Sequence, residues 1–235
     1  GLNVKQITSK LKSLGIKKIE IKEIDITKIE EMKKWDKNQW SQIGIQESEI
    51  PLYLDSDGVF MDFSSSFYRY MKEEHGIVAI NVEPSRFDYA DVFPDIDRPH
   101  QFISAFIDST HFQEMKPYAG AIEAIKAQRE RFQKIIVVTS CGDDPHVQKS
   151  RLKSYEAGLD GQFDDVIFLP LGGCKKEVMS KLPKGAFIDD QMRVLRPVVE
   201  AGHKGFLFDR NYNQDACPNE MQSFNIHRIN CISQV

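Results

Sequence analysis

The sequence predicts a parallel α/β sheet with helices on both faces and a cap inserted after its first strand. Short apolar runs of the kind that form strands buried on both sides recur at Ile50 to Leu54, Ile135 to Val138, Val166 to Leu169, Ala186 to Ile188 and Phe206 to Phe208. Helical stretches separate the later runs, as alternation of strand and helix around a parallel sheet requires. Between the first and second runs lie about eighty residues, far more than one crossover needs. They include the aromatic-rich, proline-broken stretch Phe87 to Phe102, so an inserted cap is the economical explanation.

Before the first run, residues 1–49 differ in character, carrying a net charge of +2 where the remainder carries −6. Ile7, Leu11 and Leu14 sit at helical spacing, Ile19 and Ile21 alternate with charged residues as in a strand, and Thr27-x-x-Glu30 reads as a capping box. The expectation is a helix-strand-helix extension over 1–49, a catalytic core over 50–63 and 117–235, and a helical cap over 64–116. At 235 residues and 41% hydrophobic content the chain can bury a real core. The net charge of −4 gives no sign of general nucleic-acid binding or of a membrane-surface protein. Cys141, Cys174, Cys217 and Cys231 form no C-x-x-C pair, which disfavours both a zinc site and a disulfide framework. Apolar runs stay far short of the ~20 residues of a membrane span, so a soluble, cytoplasmic protein is expected.

The informative segment is Ile50-Pro-Leu-Tyr-Leu-Asp55-Ser-Asp57-Gly58-Val59, an apolar strand running into two carboxylates two residues apart and then glycine. In an open parallel sheet ligands bind beyond the carboxyl ends of the strands, so Asp55 and Asp57 are expected at a site rather than in a solvated turn. A calcium EF-hand loop is excluded by spacing, because Val59 stands at its fifth position and Ser66 at its twelfth. The second run ends in Thr139-Ser140 and the fourth in Asp189-Asp190. Each alone reads as a helix cap or a turn; the three in order, each after an apolar strand, point to one site.

Asp55-x-Asp57-Gly-Val, Thr139-Ser140 and Asp189-Asp190 resemble the first, second and fourth motifs of the haloacid dehalogenase superfamily, over roughly residues 50 to 213. The resemblance implies a Rossmann-like core with a helical cap and phosphatase chemistry. Asp62-Phe63, Phe112-x-Glu114-Met-x-Pro117-Tyr-x-Gly120-Ala and Phe206-Leu-Phe-Asp-Arg-x-Tyr212-Asn213 look like the 5'(3')-deoxyribonucleotidase branch. Residues 1–49 are foreign to that branch, and Ile80 to Gln101 matches no pattern of it.

A carboxylate attacking a phosphomonoester dianion is repelled unless a cation neutralises charge, and Mg²⁺ suits an all-oxygen site. Asp55 is the expected nucleophile and, with Asp189, a metal ligand; the backbone carbonyl of Asp57 adds an oxygen, and Asp190 acts directly or through water. Asp57 is the expected general acid and then base, and Thr139 and Ser140 are expected to hydrogen-bond the transferring phosphoryl oxygens. The scheme needs a lysine. Lys149, where the nucleotidase branch places one, is slightly favoured over Lys175 after the Gly172-Gly173 turn, with Lys176 third. The resemblance implies that Phe63 and Phe112 stack on a base, although core packing explains both equally well. The histidines form no ligand set, and Cys141 and Cys174 are expected to be buried, inert thiols.

The expected function is a Mg²⁺-dependent phosphomonoesterase acting on a small phosphorylated substrate, a (deoxy)nucleoside monophosphate first. A sugar phosphate or a polynucleotide 3'-phosphate is the alternative substrate, and a catalytically silent adaptor the alternative class. The partner expected is the substrate itself, with a homodimer left open.

Overall fold

The computed structural model describes residues 50–235; the helix-strand-helix extension expected over residues 1–49 lies outside the described residues. Six strands form one parallel sheet: β1 (Pro51–Leu54), β2 (Lys134–Thr139), β3 (Asp165–Phe168), β4 (Ala186–Asp189), β5 (Lys204–Phe208) and β6 (His227–Ile229), in the spatial order β3-β2-β1-β4-β5-β6. The Rossmann-like α/β class read from the sequence is the class observed. β1 lies at the centre, Leu52 pairing with Ile135 on one side and with Ala186 on the other.

Side chains alternate across a strand, and here the alternation divides the interior in two. Leu52, Leu54, Ile135, Val137, Ala186, Ile188, Phe206 and Phe208 face one core, while Tyr53, Ile136, Val138, Phe187 and Leu207 face the other. The second face is covered by α6 (Lys175–Lys181), α7 (Met192–Glu200) and α8 (Pro218–Ser223) through Met179, Leu195, Val198 and Met221. The first face is covered by α4 (Ala121–Gln128) and α5 (Pro145–Tyr155), and its core continues into the segment between β1 and β2.

That segment contains α1 (Phe63–His75), α2 (Ile103–Ile107) and α3 (Thr110–Gln113). Aromatic rings fill it: Phe67 lies against Tyr70, Tyr89, Phe93 and Phe106, at centroid distances of 5.3–6.4 Å. The chain leaves and returns at one place, where Met61 bridges to Pro117 and the N–H of Asp62 donates to the Lys116 carbonyl at 2.9 Å. β6 was not anticipated. A three-residue edge strand of sequence His-Arg-Ile carries no apolar run for a pattern to detect.

Candidate active site

β1 hands the chain to Asp55, whose N–H still donates to the Ile188 carbonyl of β4 at 2.9 Å. The ladder therefore sets Asp55 beside Asp189, the last residue of β4. The carboxylates of Asp55, Asp189 and Asp190 each offer an oxygen within 4.8 Å of the others, and all three residues are buried. Lys175 opens α6 and reaches into the same space, its Nζ 2.8 Å from Asp55 Oδ1 and 2.8 Å from Asp189 Oδ2. Burial alone would depress the lysine's pKa, but Asp189 and Asp55 outweigh it and hold the ammonium charged.

Crowding leaves its mark on the acids. Burial first, and then the neighbouring Asp55, push Asp189 up to about 6 against the pull of Lys175. Burial, Asp189 and Asp55 push Asp190 up to about 8. Asp190 Oδ2 accepts from the Tyr212 hydroxyl, its backbone carbonyl accepts from Asn213 Nδ2 at 2.9 Å, and its Oδ1 is buried with no hydrogen-bond partner among the described residues.

The turn after β1 is tightly drawn. The Ser56 carbonyl accepts from the N–H groups of Val59, Phe60 and Met61 at 3.0–3.3 Å, and Tyr155 donates to Ser56 Oγ at 2.9 Å. Gly58 has φ +75°, and a Cβ there would lie 2.6 Å from both Asp190 Oδ2 and the Tyr212 hydroxyl. Only glycine fits that contact without displacing the acid.

Of the residues expected from sequence, Asp55, Asp189, Asp190 and Lys175 come together. Thr139 closes β2 and is buried, with half-buried Ser140 following; the Leu54–Val137 pairing puts both at the carboxyl edge on which Asp55 stands. Asp57 points its Oδ2 at Arg151 Nη2, 2.6 Å away.

Three expectations are corrected by the geometry. Lys149 is exposed on α5, whereas Lys175 makes both carboxylate contacts, so the preference between the two lysines reverses. Lys176 instead pairs with Glu200 at 2.8 Å on the surface. Phe112 is wholly buried, edge-on to Phe106 and covered by the Arg151 guanidinium 4.1 Å from its centroid, which leaves no face for a base. Phe63 is half-buried, edge-on to Phe106 at 5.0 Å. Cys141 is buried, with burial raising its thiol pKa, but Cys174 is exposed at the start of α6.

Arg151 was not singled out from sequence, although a signal existed. Val147, Arg151 and Tyr155 lie at i, i+4 and i+8 of one helix, so the arginine stands on the apolar stripe.

The donor set fits a divalent cation. Three buried carboxyl groups share one ammonium in a place water reaches poorly, their crowding holds Asp189 and Asp190 above the usual carboxylate range, and Asp190 Oδ1 has no partner among the described residues; a cation would relieve all three. All the donors are oxygens, as hard cations such as Mg²⁺ prefer.

Comparison with solved structures agrees with this architecture. A dehalogenase solved with its intermediate complex is 12% identical and superposes with a TM-score of 0.52, over 81% of this chain and 96% of its own. A β-phosphoglucomutase candidate from Thermotoga maritima is 15% identical with a TM-score of 0.51, over 79% of this chain and 95% of its own. The chain thus shares the fold of these two proteins. No protein-family model and no curated protein sequence matches the chain.

Proposed function

We propose that this chain is a Mg²⁺-dependent phosphomonoesterase working through an aspartyl-phosphate on Asp55. The observation that carries the reading is the cluster of Asp55, Asp189, Asp190 and Lys175 at the carboxyl edge of the sheet, with Asp57 two residues beyond Asp55. Asp55, Asp189, Asp190 and the Asp57 carbonyl would hold the cation, which when bound supplies the positive charge that lets a carboxylate approach a phosphate dianion. Asp55 is the nucleophile. Lys175, bridging Asp55 and Asp189, fixes the direction of the Asp55 carboxylate and adds a positive charge beside the transferring group. Thr139 and Ser140 donate to phosphoryl oxygens. Asp57 gives a proton to the departing alkoxide and later takes one from the water that hydrolyses the aspartyl-phosphate.

Asp57 separates this reading from dehalogenation, the activity named for one of the fold neighbours. A halide leaves without a proton, so an acid beside the nucleophile would have nothing to do. Within phosphomonoesters we favour a nucleoside monophosphate, supported by the resemblance of the Asp62-Phe63 and Phe206-to-Asn213 segments and by half-buried Phe63.

The test is a release assay over deoxynucleoside 5'- and 3'-monophosphates, sugar phosphates, 3'-phosphorylated oligonucleotides and 2-chloropropionate, each with Mg²⁺ and with excess EDTA. Phosphate release that needs Mg²⁺ and falls at least ~10³-fold in Asp55→Asn is the expected result, since the amide cannot attack phosphorus. Full turnover in EDTA, wild-type activity in Asp55→Asn, or release of chloride with no release of phosphate would overturn the reading.

A further inference from the structure

Arg151 has no exposed side-chain surface, and its guanidinium is packed among aromatic rings, a methionine, the Cys141 thiol and one carboxylate. Phe112 lies beneath it at 4.1 Å, Tyr155 lies at 6.0 Å, and Nη1 faces Met115 Sδ at 3.9 Å. Among the described residues its one carboxylate partner is Asp57, through Nη2 and Oδ2 at 2.6 Å. A guanidinium is planar and always charged, and stacked on a buried ring it cannot swing with solvent. Asp57 Oδ1, by contrast, is buried with no hydrogen-bond partner among the described residues. One carboxyl oxygen is pinned and the other is left unpaired.

We propose that Arg151 is a positioning residue for leaving-group departure: it anchors Asp57 by Oδ2 and so leaves the unpaired Oδ1 as the oxygen that carries the proton destined for the ester oxygen. The inference rests on the phosphomonoesterase reading. In the step concerned, an Asp55 oxygen bonds to phosphorus, the bond from phosphorus to the ester oxygen breaks, and the proton on Asp57 moves to that oxygen. An alkoxide is a strong base and needs the proton, whereas p-nitrophenolate departs as the anion. Arg151 therefore matters for alkyl esters far more than for activated aryl esters.

The matched probes are p-nitrobenzyl phosphate and p-nitrophenyl phosphate, which differ by one methylene at the leaving oxygen. The quantity read is kcat/KM, which reports the steps through ester cleavage and is blind to later hydrolysis of the aspartyl-phosphate. Arg151→Met should lower it roughly a hundredfold for the benzyl ester and less than about fivefold for the phenyl ester, the lower end of what a positioned acid contributes. Arg151→Lys, which keeps the charge without the planar fork, should recover part of the loss. In an Asp57→Asn background, adding Arg151→Met should cause no further selective loss, because the two act as one unit.

Equal losses on both esters in a variant that still unfolds cooperatively would reduce Arg151 to a packing residue and overturn the proposal. Should Arg151→Met fail to fold, the same comparison is made with Arg151→Lys, where equal losses overturn it in the same way. If the wild type hydrolyses neither these esters nor any phosphomonoester named above, the phosphomonoesterase reading falls and takes this inference with it. A wild type that cleaves both esters while the variants show no selectivity sinks the inference alone.

Discussion

Lys175 is the residue on which the site's electrostatics turn. It is buried and bridges two buried carboxylates, so removing it strands both. Breaking a buried ion pair from one side costs about 3–5 kcal/mol, because the charge left behind keeps its desolvation penalty and loses its partner. Lys175→Met should lower the free energy of unfolding in urea by about that amount, and Mg²⁺ should recover part of it by binding the freed carboxylates. A variant as stable as wild type, or one indifferent to Mg²⁺, would contradict the charge balance described above. The carboxylates themselves were legible in the sequence, because each follows an apolar strand. The choice of lysine was not, since Lys149 and Lys175 both follow plausible turns and only the packing of α6 decides which one is carried inward.

Among the helices, α5 links the second motif to the site. Its start is specified locally: the Asp144 side chain accepts from the His146 N–H at 2.7 Å, and Pro145 occupies the first helical position, where its missing N–H has no cost. Asp143-Asp144-Pro145 also has the composition of a turn, which is how an N-cap looks before its helix is identified. Asp144→Ala should cost about 1 kcal/mol in chemical denaturation, the usual value for a lost cap. No measurable loss would mean that tertiary packing alone holds the first turn. Arg151 further along α5 shows what element-level reading lacks. Periodicity puts it on the buried stripe, but a charged residue at such a position carries no indication of its partner. Asp57 lies 94 residues away along the chain.

Over the molecule as a whole, His203 is a buried crossing point. Its Nε2–H donates to the Met179 carbonyl of α6 at 2.8 Å, and its Nδ1 accepts from the Gly185 N–H just ahead of β4 at 3.3 Å. Both partners suit the neutral ring, and burial lowers the histidine's pKa to about 4 from 6.5. Between those values the unfolded chain binds a proton that the folded chain refuses, so stability is full above about pH 6.5 and declines as pH falls toward 4. From pH 7 to pH 4.5 the loss from this group should be about 2–3 kcal/mol. In His203→Leu the fold is weaker at neutral pH, its two backbone partners being left unpaired, yet that share of the pH dependence should vanish from urea titrations at a series of pH values. An unchanged slope would show that other groups carry it.

What the sequence by itself determined is the part written in local chemistry. Apolar runs predicted a parallel sheet because strands buried on both faces must be apolar along their whole length, and acids directly after those runs marked the edge where ligands bind. What only the tertiary structure decided is which distant side chains meet. The order β3-β2-β1-β4-β5-β6 sets Asp55 beside Asp189, the seating of α6 brings in Lys175, and the packing of α3 against α5 closes Phe112 beneath Arg151. The physical reason is that a motif is a property of neighbours along the chain, whereas an ion pair or a stacked ring depends on a separation that no local pattern encodes.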